Sequence, residues 1–327
     1  MTATQHMSAK DAVGPDGPAR MLSFDVEEYF QVEAAARIGR QDWPSFEMRL
    51  PQSVDRILAM LAEHGSTATF FVLGWVARQE PQVVRRIAEA GHEIASHGMD
   101  HRMIHTLSRG ELRDDLTRSK RTLEDLAGAR VIGYRAPTFS LNHATAWAID
   151  ALAESGFEYD SSVFPIHHDR YGVPDAPARP HVAAGPSGSR ILEIPPLTIR
   201  RLGVNWPVGG GGYFRLLPQW MTARAIGAAA RCGNPAMIYL HPWELDPGQP
   251  VLDMPVLARW RHRVNLSRTE GKLRRLLERF RFSSVAECID SIRDAAKDTF
   301  RYGRGFAAPP CSAPASLREK SNVSGVL

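Results

Sequence analysis

The chain has 327 residues, 43% hydrophobic and 23% charged, which is enough to bury a large core and ordinary for a globular fold. Its net charge of +4 comes without a long lysine run, which argues against nucleic acid as a partner and permits an anionic one. Cys232, Cys288 and Cys311 are widely spaced and form no C-x-x-C pair. That pattern suggests neither a cysteine zinc site nor a disulfide framework, and fits a reducing compartment.

Residues 1–20, rich in Gly, Pro and Ala, read as a disordered leader without the apolar core of a signal peptide. "RMLSFDV" (20–26) and "TATFFVLG" (67–74) read as buried strands. Between them "SVDRILAMLAEHG" (53–65) is a helix, with Val54, Ile57, Leu58 and Leu61 on one face and Gly65 as its stop. The apolar run "ATFFVLGWVA" (68–77) is too short to cross a bilayer, so the expected location is the cytoplasm. The alternation continues with helix 81–91, strand 92–97, a long helix 108–128 capped by Ser108, and strand 131–137. Helix 142–156, strands 157–161 and 191–196, helix 219–233 and strand 236–242 follow. The proline-rich stretch 165–190 reads as a surface insertion, and the four glycines of "WPVGGGGYFRLLP" (206–218) fit a close ligand approach or a plain flexible loop equally well. Strands alternating with helices predict a parallel sheet under helices, and so many units in one chain predict a (β/α) barrel.

In such a barrel the working residues sit where strands end. The first strand ends in "SFDVEEYF", bringing Asp25, Glu27 and Glu28. The third leads into "ASHGMDHRMIH", with His97 and His101 four residues apart. Side chains four apart on a helical turn lie about 5–6 Å from each other, close enough to grip one ion. A zinc-type site needs a third ligand, such as a carboxylate, and an open position for water. A polar turn with backbone-bonded imidazoles is the alternative for the histidines, and a solvated strand end is the alternative for the acids. "GYRAPTF" adds Arg135, whose guanidinium beside Asp25 would keep that carboxylate ionised and aimed. "IYLHPWELD" adds His241, while His92 and His105 read as structural. Together these residues suffice for metal-assisted hydrolysis, with two histidines and a carboxylate on the metal, a second carboxylate as base and an acid for the leaving amine.

In order and spacing, "SFDVEE", "SHGMDH", "GYRAPTF", "GFEYDSS" and "LHPWELD" resemble the five motifs of the polysaccharide deacetylases, carbohydrate esterase family four, over roughly residues 21–290. "GGGGYFRLLP", "HPWELDPGQP" and "VNLSRTEGKLRRLLERFRF" resemble the branch found beside exosortase and exopolysaccharide gene clusters. The composition of 301–327 reads as a disordered tail. The resemblance implies an α/β fold, a distorted (β/α) barrel of seven strands over 21–300, with a branch-specific extension from about 200. It implies a divalent metal, commonly zinc, held by His97 and His101. It places the base on Asp25, its orienting arginine on Arg135, the general acid on His241 and the aspartate supporting that acid on Asp160. Most members read Asp-Asp at the first motif, whereas here Val26 follows Asp25. Side chains alternate along a strand, so Glu27 returns to the side of Asp25 and is the expected metal carboxylate, with Glu28 as second choice. Thr138 replaces a frequent tyrosine, and its backbone N–H is expected to help hold the oxyanion.

The expected activity is metal-dependent removal of acetyl groups from N-acetylated sugars of a polysaccharide or exopolysaccharide precursor. A sugar O-acetyl esterase, a cyclic-amide hydrolase and a non-catalytic carbohydrate-binding scaffold are the rivals. The basic stretch 259–282 reads as the solvated face of a packed helix, or as a contact with anionic polymer or a lipid-linked precursor at the membrane surface. Oligomeric state and the identity of the sugar are not legible.

Overall fold

A computed structural model describes residues 17–35, 37–168 and 170–303. The expected leader up to residue 16 and the expected tail from residue 304, Cys311 included, lie outside the described residues. In chain order the elements are β1 (Arg20–Val26), α1 (Leu50–Glu63), β2 (Thr69–Val72), α2 (Gly74–Gln79), α3 (Pro81–Glu89), β3 (Glu93–Ser96), α4 (Arg109–Ala127), β4 (Gly133–Tyr134), α5 (Trp147–Glu154) and β5 (Tyr159–Asp160). They continue with β6 (His181–Ala184), β7 (Arg190–Glu193), β8 (Thr198–Arg201), β9 (Val204–Pro207), α6 (Gly211–Leu216), α7 (Gln219–Arg231), β10 (Ala236–Leu240), α8 (Val256–Arg263), α9 (Leu266–Arg279), α10 (Val285–Ala295) and β11 (Thr299–Arg301).

The fold is α/β around a mostly parallel sheet, ordered β10-β1-β2-β3-β4-β5-β7-β6-β11. From β10 to β7 every neighbouring pair is parallel. β6 then runs antiparallel to β7, and β11 lies parallel to β6. The chain beyond β7 turns back toward the other end of this run. Leu197 N–H donates to the Met237 carbonyl at 2.9 Å, and Tyr239 N–H donates to Gly209 at 2.8 Å. Here the glycine run has a use, because a Cβ on Gly210 would sit 1.9 Å from the Tyr239 carbonyl oxygen. Only a bare backbone fits against β10.

β1 shows how the sheet aims the site. Leu22, Phe24 and Val26 pack with the helices in one core, whereas Met21 joins Phe71, Tyr159, Met237 and α10 in another. Strand alternation therefore puts Ser23 and Asp25 on the inner face and Val26 in the helix-covered core. Helix α4 begins at a reciprocal cap, with Ser108 Oγ accepting from Glu111 N–H (3.2 Å) and Glu111 accepting from Ser108 N–H (2.9 Å), and ends at Gly128 with φ +65°.

Several elements differ from the sequence reading. The proline-rich 165–190 stretch is not all surface insertion, since β6 joins the sheet. The basic stretch 259–282 is two helices, broken at Asn265 with φ +56°. On α9, Leu273, Leu276 and Leu277 face the core while Lys272 Nζ donates to the carbonyls of Phe214, Arg215 and Leu217 at 3.2, 2.6 and 2.9 Å. Among the described residues no helix is long and apolar enough to cross a membrane.

Candidate active site

Glu27, His97 and His101 converge just beyond the ends of β1 and β3. One ligand atom from each lies within 4.8 Å of the others, the one such cluster of three among the described residues. His97 Nδ1 meets the Arg135 carbonyl at 2.8 Å, which makes Nδ1 the protonated nitrogen and aims Nε2 at Glu27, 3.9 Å away. His101 Nε2 lies 2.7 Å from Glu27 Oε2. His101 has a φ of +49°, and Arg40 donates to the carbonyls of Asp100 (2.7 Å) and His101 (3.4 Å) on the same turn. Burial pushes His97 down to about 4. Burial would raise Glu27, but the charge and hydrogen bond of His101, with His241 and His97 beside it, hold it at about 2. At neutral pH His97 is therefore a neutral imidazole and Glu27 a carboxylate, the forms that coordinate a metal. Two imidazoles and one carboxylate are a zinc-type donor set, and these residues fit such an ion.

Asp25 lies beside this cluster, held by Arg135. The arginine is fully buried, and its Nη1 donates to Asp25 Oδ1 at 2.5 Å and to Ser23 Oγ at 3.0 Å. Its other donors reach the carbonyl (3.1 Å) and hydroxyl (2.9 Å) of Ser161, and its plane lies 4.1 Å from the centroid of Phe71. So many bonds leave the fork one orientation, which in turn orients Asp25.

Across the cavity, His241 Nε2 stands 3.7 Å from Glu27 Oε1 and 3.9 Å from Asp25 Oδ2. Its Nδ1 meets Glu244 Oε2 at 3.1 Å, and its backbone N–H donates to the same oxygen at 2.9 Å. Glu244 in turn accepts from Arg215 Nε at 2.6 Å, and Arg215 Nη1 donates to the carbonyls of His262 (2.9 Å) and Val264 (3.0 Å). Burial works against a charged His241, but the Glu244 hydrogen bond and charge, followed by Glu27 and Asp25, lift it to about 9. The indole of Trp243 stacks between His241 and His262, with centroids at 5.2 and 4.6 Å, and donates to Glu27 Oε1 at 3.3 Å. Asp25, Glu27, His97, His101, Thr138 and His241 line one cavity of about 250 Å³.

Two residues singled out from the sequence, Asp160 and Glu28, take other places. Asp160 makes no hydrogen bond to His241. It accepts from the Ser162 hydroxyl at 2.5 Å and pairs with Glu193 in a buried acid pair, where burial lifts Asp160 to about 6 and Glu193 well above the usual carboxylate range. The carboxylate on His241 is instead Glu244. Glu28 turns away from the cluster and caps α1, accepting from Arg49 N–H (2.6 Å) and Leu50 N–H (2.7 Å). Thr138 lines the cavity with a left-handed backbone, φ +57°, and Phe139 follows at +49°. The segment is tied down where Ala136 N–H donates to Ser162 Oγ at 2.7 Å. Glu244, Arg215 and Trp243 were not anticipated. Glu244 had a signal, since it stands three residues after His241 behind a proline that opens a helical turn. Arg215 had none.

Residues 42–159 match the family model "Polysaccharide deacetylase", and residues 161–290 match "Domain of unknown function (DUF3473)". Among curated proteins, a chitooligosaccharide deacetylase of Sinorhizobium fredii is 33% identical over 109 residues, 32% of this chain and 46% of that protein. A peptidoglycan deacetylase of Helicobacter pylori is 28% identical over 116 residues, 36% of this chain and 38% of that one. The chain thus spans less than half the length of these two relatives. A crystal structure described as a putative polysaccharide deacetylase from Mycobacterium smegmatis aligns with a TM-score of 0.56 at 20% identity, covering 87% of this chain and 94% of that chain, and shows the same fold. His97, His101, Arg135 and Thr138 lie in the first matched region, His241, Glu244 and Arg215 in the second, and Asp25 and Glu27 precede both.

Proposed function

From this kinship with the polysaccharide deacetylases, we propose that the chain is a metal-dependent hydrolase that removes acetyl groups from N-acetylated sugars. The observation that carries the reading is the Glu27–His97–His101 cluster set between an arginine-bound aspartate and a carboxylate-bound histidine. A divalent ion held by Glu27, His97 and His101, zinc by the donor set, would supply Lewis acidity to water and to the acetamide carbonyl. Asp25, aimed by Arg135, accepts the proton of the attacking water. His241, protonated at neutral pH through Glu244, delivers a proton to the departing amine nitrogen. Thr138, on the same cavity wall, offers its backbone to the developing oxyanion. The products are acetate and a free amino sugar.

We assign the substrate to an exopolysaccharide or its precursor on the resemblance of "GGGGYFRLLP" and "HPWELDPGQP", both within residues 161–290, to the exosortase-associated branch. The wide spacing of the cysteines, without a C-x-x-C pair, supports a cytoplasmic site of action. The test is acetate release from N-acetylglucosamine oligomers by the purified chain, with and without chelator, with zinc restored afterward and Asp25→Ala in parallel. Release that requires both metal and Asp25 is the expected result. Release from O-acetylated sugars alone would point to an esterase, and no release with no bound metal would overturn the hydrolase reading.

A further inference from the structure

The reaction cavity, about 250 Å³, opens on a larger one of about 920 Å³. Clefts that bury a whole ligand run roughly 300–1,000 Å³. The smaller space therefore suits the acetamido end of a substrate, and the rest has to lie in the larger one. Tyr239, Trp243, Arg170 and Arg261 line both, so the two are continuous.

The larger cavity has a distinct chemistry. Among the described residues no carboxylate lines it, whereas Arg170, Arg215 and Arg261 do. Two of these cations are neutralised, Arg215 by Glu244 and Arg170 by Glu33. Arg261 is exposed, and among the described residues it has no hydrogen-bond or ion-pair partner. Beside it on α8, Trp260 and Leu257 are 53% and 58% exposed, large apolar surfaces left facing the cavity. Tyr171 and Tyr213 supply further ring surface. Flat rings present apolar area with little conformational entropy to lose, and a guanidinium with no counterion is matched by a carboxylate or phosphate.

We infer that the substrate carries a negative charge close to the acetylated sugar, and that Arg261 with the apolar wall of Leu257 and Trp260 on α8 forms an anion-selective subsite for it. The inference rests on the deacetylase reading and narrows its substrate class to acidic saccharides. The anion is a carboxylate of the sugar chain or a phosphate at its end, and both would meet Arg261 in the same way.

The test is binding rather than turnover, so its failure is distinguishable from failure of the hydrolase reading. A hyaluronan tetrasaccharide, the neutral N-acetylglucosamine tetramer, N-acetylglucosamine 1-phosphate and N-acetylglucosamine are each titrated calorimetrically into the full chain carrying Asp25→Asn. The expected result is an acid-to-neutral affinity ratio of roughly tenfold at low salt for at least one matched pair, shrinking as salt screens the contact. The pair that shows it identifies carboxylate or phosphate as the source. Arg261→Gln should bring that ratio close to one and Arg261→Lys should keep most of it. Equal affinities in both pairs, or a ratio untouched by Arg261→Gln, would overturn the proposal even if acetate release succeeds.

Discussion

Replacing Glu244 by glutamine tests the assignment of the acid directly. In the native chain His241 stands at about 9 instead of 6.5, with the Glu244 hydrogen bond and charge as the foremost causes of the rise against burial. A rise of roughly 2.5 pH units corresponds to on the order of 3 kcal/mol favouring the imidazolium. Glutamine keeps one acceptor oxygen, for Arg215 or for the His241 N–H, which bond to different oxygens of Glu244, and removes the charge. Burial, which disfavours the imidazolium, is then opposed only by Glu27 and Asp25. The expected fall is about one pH unit or more. A cation held by Glu27 cancels part of that residue's share, so native chain and variant are compared at equal metal loading.

The assay is the pH dependence of kcat/KM for acetate release, backed by NMR titration of the His241 ring. A general acid is competent only while protonated, so activity falls as pH rises through its pKa, and Glu244→Gln should move that alkaline limb toward acid. Stability moves with the same sign. The folded pKa of His241 is raised, so its contribution is fully present below about 6.5 and fades as pH rises through about 9. The fall in Tm across that window should be smaller in the variant. Asp160→Asn, which touches Ser162 and Glu193 rather than His241, should leave the limb where it is. An unmoved limb in Glu244→Gln, or an equal move in Asp160→Asn, would refute the reasoning.

Glu27→Ala and His97→Ala should each strip the metal from the purified chain, measured as ions per chain by atomic emission, whereas Asp25→Asn should retain it. Asp25→Asn should nevertheless lower kcat by about 10²–10⁴-fold, the usual worth of a positioned base; a smaller loss would move the base elsewhere. Glu28 gives a prediction about stability. Burial lifts it to about 7 against three backbone hydrogen bonds, so the contribution of Glu28 to stability is fully present below its ordinary 4.5 and is lost as pH rises through about 7. Glu28→Gln, which keeps an acceptor without a charge to desolvate, should therefore match or exceed the native Tm at pH 8. Glu28→Ala should lose the cap and about 0.5–2 kcal/mol; thermal melts of both variants check the pair of outcomes.

The strand ends were legible because hydrophobic period and position do most of the work there. Alternation along β1 is enough to turn Asp25 inward and Val26 out, but residues 97–101 form no helical turn, and a loop with Gly98 at φ +78° and His101 at φ +49° brings the two histidines to Glu27. Other features depend on contacts distant in sequence. Arg215 reaches Glu244 across 29 residues and His262 across 47, from a helix of six residues. β4 and β5 have two residues each, so their register is set by neighbours rather than by pattern. Asp160 was placed beside the acid by the resemblance alone; its hydrogen-bond and acid-pair partners are Ser162 and Glu193, and the latter lies on β7.

The two regions matched by separate family models meet between residues 159 and 161, and the fold is continuous through that boundary. β5 pairs with β7 across it, and β10, from the second region, pairs with β1 at the other end of the parallel run. Arg135, in the first region, spends two of its bonds on Ser161, the first residue of the second. A chain cut at the boundary would therefore leave β1 and β5 with one sheet neighbour each instead of two, Arg135 short of two acceptors, and the cavity without His241. The domain of unknown function is thus better understood as the other half of this sheet and of this site than as a module attached to a complete enzyme. A consequence for any relative follows: where the second region is replaced, counterparts of His241 and Glu244 have to come from another segment.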